Sequence, residues 1–224
     1  MVKKKKKQPG SLIPVVLATL AFFSAFCLAI IMPDIEEKQR QKKAALAKGI
    51  AEEIMQTAEK TKQDIETMIA KGTAWHEITF AKPMNVPCDT GKTCLFSEEG
   101  GGASVPKRPE NARGKSARLF HWRFKRPMGD IGWWFDSGRL ASKGVRDVGT
   151  EAPDLVATLE DIPQAVCRAI NRSLGIPGIP VEDDREGRGE LYILDRLKGH
   201  RQGCIQWVPW AKNLYVYFHV MVEN

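Results

Sequence analysis

The stretch from Leu12 to Met32, LIPVVLATLAFFSAFCLAIIM, has no charged side chain, and its length matches the ~20 apolar residues a helix needs to cross a hydrocarbon core. No other feature restricts the chain so strongly. In a medium without water each backbone N–H and C=O has to be satisfied within the segment, so a run of this kind crosses a bilayer as a helix. Lys3 to Lys7 precede it, followed by the uncharged Gln8, Pro9, Gly10 and Ser11. A cleaved secretory signal has a shorter apolar region, roughly 7–15 residues, ending at a small-x-small site. The nearest such site, Cys27-Leu28-Ala29, lies inside the run with Ile30-Ile31-Met32 still to follow. Phe26 stands before Cys27, where a lipoprotein signal needs a small residue. The segment therefore reads as a retained single span. Lys3 to Lys7 favour a cytoplasmic N-terminus under the positive-inside rule. Lys38, Arg40, Lys42 and Lys43 lie close beyond the other end, among Asp34, Glu36 and Glu37.

Beyond the run, the sequence from Asp34 to Gly72 is dominated by Ala, Glu, Lys and Gln, which are strong helix formers. Leu46, Ile50, Ile54, Ala58, Ile65 and Ile69 recur at near-helical spacing, and Gly72 is the expected C-terminal stop. Such a stripe suits packing against the chain's own domain or a coiled-coil stalk, and its period does not choose between them. The expected organisation is a basic leader over 1–10, a transmembrane helix over 11–33, an amphipathic stem over 34–72 and a folded domain over 73–224. That last part is long enough to enclose a real core, and all six tryptophans fall in it.

Within the domain, Pro83, Pro87, Pro106 and Pro109 mark a loop-rich start, and Glu98 to Ala117 has no apolar pattern, which predicts a mobile surface loop. Gly100-Gly101-Gly102 lacks the Lys-Ser/Thr pair of a phosphate loop. Strands are predicted in ARLFHWRF, DIGWWFDSG, DLVATLE, LYILDRL, CIQWV and NLYVYFHVMVE; the last is apolar on both faces and so belongs in a central or covered position. EDIPQAVCRAINRSLG reads as a helix with Asp161 as its cap, Pro163 in the first turn, Gly175 as its stop, and Ile162, Val166, Ala169 and Ile170 facing inward. The fold class is α+β: a long N-terminal helix followed by a mostly antiparallel sheet.

Of five cysteines, Cys27 lies in the apolar run and fills apolar space. Cys88, Cys94, Cys167 and Cys204 form an even set, for which three connectivities exist. The preferred one joins Cys88 to Cys94 as a local clip and Cys167 to Cys204, consistent with a domain outside the cytoplasm. A zinc site including His76 or His200 is the rival, but the spacing lacks the usual C-x2-C pairs. The formal charge of +7 owes much to the leader lysines, and elsewhere basic and acidic residues alternate, so a nucleic-acid partner is not expected. His76, His121, His200 and His219 are scattered, with His219 in a strand and read as a packed residue. Neither G-x-S-x-G nor H-E-x-x-H occurs, so neither an enzyme nor a cofactor is expected. The acidic stretch from Val181 to Glu190 admits a calcium site but is interrupted by Arg185 and Arg188. Trp133-Trp134 and Trp207-x-x-Trp210 admit a sugar platform, with core packing the stronger reading.

Taken together, the short basic leader, Gly10, the apolar helix, Pro33 at its far end, the stem and the disulfide-bearing sheet domain resemble a type IV pilin or a type II secretion pseudopilin. DLVATLEDIPQAVCRAIN is similar to a strand-to-helix stretch of several pilins, in which a helix cysteine bridges to one near the C-terminal strand; Cys167 and Cys204 would be the equivalents. The resemblance implies a non-catalytic subunit in the inner membrane, with its C-terminal domain periplasmic or extracellular. Its partners would be membrane lipid and other pilin-like subunits, contacted through the N-terminal helix. It also implies leader cleavage between Gly10 and Ser11. Ser11 and Val15 stand where the family usually has Phe and Glu, which speaks against a bulk major pilin and fits an initiating or tip subunit. The alternative from another class is a bitopic membrane protein whose outer domain binds a ligand or a cell-wall glycan.

Overall fold

A computed structural model describes residues 13–82, 86–114, 133–136, 145, 147–150, 152, 154–182, 197–208 and 214–223. Its first element, α1, runs without interruption from Ile13 to Ala70 and passes through Pro33. Side chains along it are described at Phe22, Phe23 and from Ile35 onward. Among the described residues no helix is long and apolar enough to cross a membrane. The helix closes at Gly72, whose φ of 97° suits glycine. The Gly72 N–H donates to the Ile69 carbonyl (2.9 Å) and the Thr73 N–H to the Met68 carbonyl (3.1 Å), the paired bonds of a Schellman stop.

The chain divides into two units, Met1–Ala45 and Leu46–Asn224, a boundary that falls inside the segment assigned to the stem. In the first unit the described side chains, Phe22, Phe23 and those from Ile35 to Ala45, are all exposed. In the second, α1 buries Ala47, Ile50, Ala51, Ile54, Ala58, Thr61, Ile65 and Met68. This part of the helix packs against its own domain rather than forming a stalk. The expected stripe needs correction at both ends: Leu46 is 56% exposed and Ile69 36%. The opposite face carries Glu52, Glu53, Gln56, Lys60 and Glu66, with Lys48–Glu52 (3.7 Å) and Lys62–Glu66 (3.8 Å) pairs one turn apart, while Glu59 lies at the edge of the packed face.

Two short antiparallel strands follow, β1 (Ala81–Lys82) and β2 (Val86–Pro87). The main sheet contains β3 (Trp133–Asp136), β4 (Leu155–Leu159), β5 (Val181–Glu182), β6 (Gln202–Trp207) and β7 (Leu214–Val222) in the order β3-β4-β7-β6-β5. Every pair is antiparallel except β5 with β6. β7 is central and buried from Leu214 to Met221, as its two apolar faces require. Its odd-numbered residues Tyr215, Tyr217 and Met221 join a core with α1 and with α2 (Gln164–Ser173). Leu214, Val216, Phe218 and Val220 face a second core closed by Val145, Val148, Ile176 and Leu197.

Local expectations within the domain fare differently. Asp161 does not cap α2: Pro163 occupies the N-cap with no side-chain bond, and Asp161 instead turns the chain at a φ of 54°. Gly175 does stop the helix, with its N–H on the Arg172 carbonyl and the Ile176 N–H on that of Asn171. The described part of the 98–117 loop is tied down rather than loose: Pro106, Pro109 and Ala112 are buried, and Arg108 reaches the sheet unit as described below. The strands expected in ARLFHWRF and in LYILDRL lie outside the described residues, apart from Leu197.

Candidate functional site

Both sulfur pairs lie at the root of the domain's construction. Cys88 and Cys94 are bonded, with Cα atoms 5.9 Å apart, and close a short loop beside the end of α1. The loop is held by Thr79, whose N–H donates to the Thr93 carbonyl (2.9 Å) and whose carbonyl accepts from the Leu95 N–H (3.0 Å). Two of the three glycines after it, Gly100 and Gly101, allow close approach, while Gly102 supplies a φ of 64°. A methyl group on Gly100 would meet the Cys94 carbonyl oxygen, and one on Gly101 would meet the Leu95 carbonyl oxygen and, at 2.9 Å, the Met68 Sδ. Gly101→Ala is therefore expected to cost about 1–3 kcal/mol, the usual range for overpacking a filled site. Gly49→Ala, in open space on the exposed face of α1, should instead stabilise by up to about 1 kcal/mol. Urea midpoints of the two variants would separate the effects.

Cys167 and Cys204 are bonded with Cα atoms 5.3 Å apart, and both are fully buried. One turn after Cys167 on α2, Asn171 grips the same strand residue. The Cys204 N–H donates to Asn171 Oδ1, and Asn171 Nδ2 donates to the carbonyls of Cys204 and Gly178, all at 2.8 Å. Among the described residues β5 pairs with β6 opposite Gln206 and Trp207, and it begins too late to reach Cys204. At Cys204 the side-chain amide takes the place of a neighbouring strand, supplying one acceptor and one donor to groups that burial would otherwise leave unpaired. With the sulfurs of all four cysteines bonded to one another, none is left as a thiolate for the zinc alternative.

Arg108 ties the irregular segment to the turn before α2. Its Nη1 donates to the carbonyls of Ala112 (3.0 Å) and Asp161 (3.1 Å), and its Nη2 donates to that of Glu160 (2.6 Å). Burial weakens the guanidinium's hold on its proton, while Asp161 acts in the opposite sense. Trp133 Nε1 donates to the Lys107 carbonyl at 3.4 Å, and its ring meets Tyr217 edge-on at 5.9 Å. Trp133 and Trp207 are core residues, 4% and 6% exposed, which removes them from a sugar platform; the side chains of Trp134 and Trp210 lie outside the described residues.

His76 is exposed and His200 half-buried, while His219 is buried on the helix-facing side of β7. Gly10, Ser11, His121 and residues 183–190 of the acidic stretch lie outside the described residues. Among the described residues no three His, Cys, Asp or Glu side chains come together as a metal site. Sequence reasoning missed Asn171 and Arg108. The signal available for the first was only its position four residues after Cys167. Comparison with protein-family models, with curated proteins and with solved structures finds no match to this chain.

Proposed function

We propose that the chain is a non-catalytic, pilin-like or pseudopilin subunit, anchored in the inner membrane and contributing to pilus or type II secretion assembly through its N-terminal helix. One observation supports this reading above the rest. α1 is continuous from Ile13 to Ala70, yet among the described residues it buries a face only from Ala47 onward. The outward face of its C-terminal part is mostly charged, with Ile35, Leu46 and Ile69 as scattered exceptions, so extended apolar contact with another helix or with lipid falls to the uncharged residues before Pro33. In hydrocarbon, such packing depends on close side-chain fit.

Charge in that run should accordingly be severe. Val15→Asp or Ile30→Asp is expected to cost roughly 2.5–3.5 kcal/mol of insertion free energy and to reduce crosslinking between helices. The same charge in the loop, at the exposed Ser104 for instance, should leave both unchanged. Mass spectrometry of the N-terminus from native membranes tests processing: a chain beginning at Ser11 supports a pilin-type leader. An intact leader, together with a monomeric protein lacking pilus or secretion partners, would turn the assignment to an anchored binding domain.

A further inference from the structure

A histidine occupies a position on the central strand where an apolar residue would fill the space without a polar cost. His219 is 2% exposed and Tyr217, two residues earlier on the same face, is fully buried. The Tyr217 hydroxyl donates to Gln202 Oε1 at 2.9 Å and lies 3.0 Å from His219 Nδ1. With its one hydrogen given to Gln202, the hydroxyl accepts at Nδ1, so the neutral ring carries its hydrogen there. The other ring nitrogen, Nε2, then presents a lone pair toward Glu59 on α1, 3.6 Å away. That separation exceeds hydrogen-bond range and sets two acceptors face to face.

The neighbourhood contains few charges. α1 brings Glu59, whose side chain is 51% exposed, and Lys62, which pairs with Glu66. β7 contributes the Tyr217 phenol, held well above its usual titration range by burial and by Glu59. The register partners of His219 on β4 and β6 are Ala157 and Gln202, neither of which is charged. A proton on Nε2 would gain Glu59 as a partner, but it would place a cation in a seam closed to water, against a carboxylate that water already solvates.

We infer that His219 is an acid-sensitive latch: neutral, it lets α1 lie against the central strand, and charged, it loosens the helix from the sheet. Burial brings its pKa down to about 4 from the ordinary 6.5; Glu59 opposes this fall and Lys62 adds to it. A folded-state pKa below that of the opened chain means that opening takes up a proton. The latch is fully closed above about pH 6.5, weakens as the pH falls toward 4, and changes little below that. The opening equilibrium should rise by about two orders of magnitude across this window.

Hydrogen exchange on the full-length chain in detergent would test this. After correction for intrinsic rates, the amides of 47–70 should lose protection between pH 6.5 and 4 in the native protein. They should lose markedly less in His219→Gln, which retains a polar group beside Tyr217 but does not titrate; the difference between the two isolates His219 from the carboxylates. Glu59→Gln, which removes the charge favouring the protonated ring, should carry the loss to lower pH. An NMR titration of His219 in the native chain stands even if a variant does not fold: a midpoint near 4 is expected. A midpoint near 6.5 with α1 still protected, or identical pH profiles for native and His219→Gln, would overturn the latch.

Discussion

Replacing Cys167 and Cys204 together by serine should lower the stability of the domain by nearly 4 kcal/mol. The two residues are 37 apart in sequence, and a closed loop of that size restricts the unfolded chain by about this amount in the chain-entropy model. Two hydroxyls at fully buried positions add to the loss unless they find acceptors. The same change at Cys88 and Cys94, 6 apart, should cost about 2–2.5 kcal/mol. Urea denaturation of the full-length chain in detergent, without reductant, reads both. Coincident midpoints for the native chain and the Cys167/Cys204 variant would show that the bridge does not hold the fold.

Asn171→Ala should cost about 3 kcal/mol without touching a sulfur. It removes three hydrogen bonds and leaves the N–H and carbonyl of Cys204 and the carbonyl of Gly178 without their amide partner, in a site that is 1% exposed at Asn171. Asn171→Asp discriminates further. It keeps an acceptor for the Cys204 N–H but turns a carboxylate toward two carbonyls, so it should be no better than alanine. Because the amide and the disulfide position the same residue, their losses should not add, and a double-mutant cycle should show coupling of about 0.5–3 kcal/mol. A loss below about 1 kcal/mol for Asn171→Ala would mean that the bridge and the apolar face of α2 suffice.

The broad layout was legible because it depends on repeating patterns. A strand apolar on both faces has to be covered on both, and β7 is. A glycine after a helix-forming run closes it, and Gly72 does. The buried stripe of α1 was read less well for a geometric reason. Steps of four residues advance about 40° past a full turn, so a list of large apolar residues four apart drifts off the face it began on. The buried face alternates steps of three and four, and it includes Ala47, Ala51 and Thr61, which a search for large apolar residues passes over. Arg108 and Asn171 were illegible for another reason. Each has a main-chain partner more than thirty residues away, and no local pattern announces an acceptor on Glu160 or a strand that begins too late to cover Cys204. The polar composition around Arg108 predicted mobility because it lacks apolar residues, yet the guanidinium does there what apolar burial does elsewhere.

The position of β7 has a consequence for the order in which the domain can be completed. β3 and β4 pair with each other, as do β5 and β6, and among the described residues these two halves of the sheet are joined by the strand between them. That strand comes after both in the chain. During synthesis or export from the N-terminal end, residues up to Trp207 can form two separate ribbons, and Cys204 can already be oxidised with Cys167. The slot between the ribbons stays open, with the inward side chains of α1 facing it, until residues 214–222 arrive. Their arrival seals both cores in one step, which makes the closing strand a natural point at which a chaperone or a quality-control protease would distinguish finished molecules from unfinished ones.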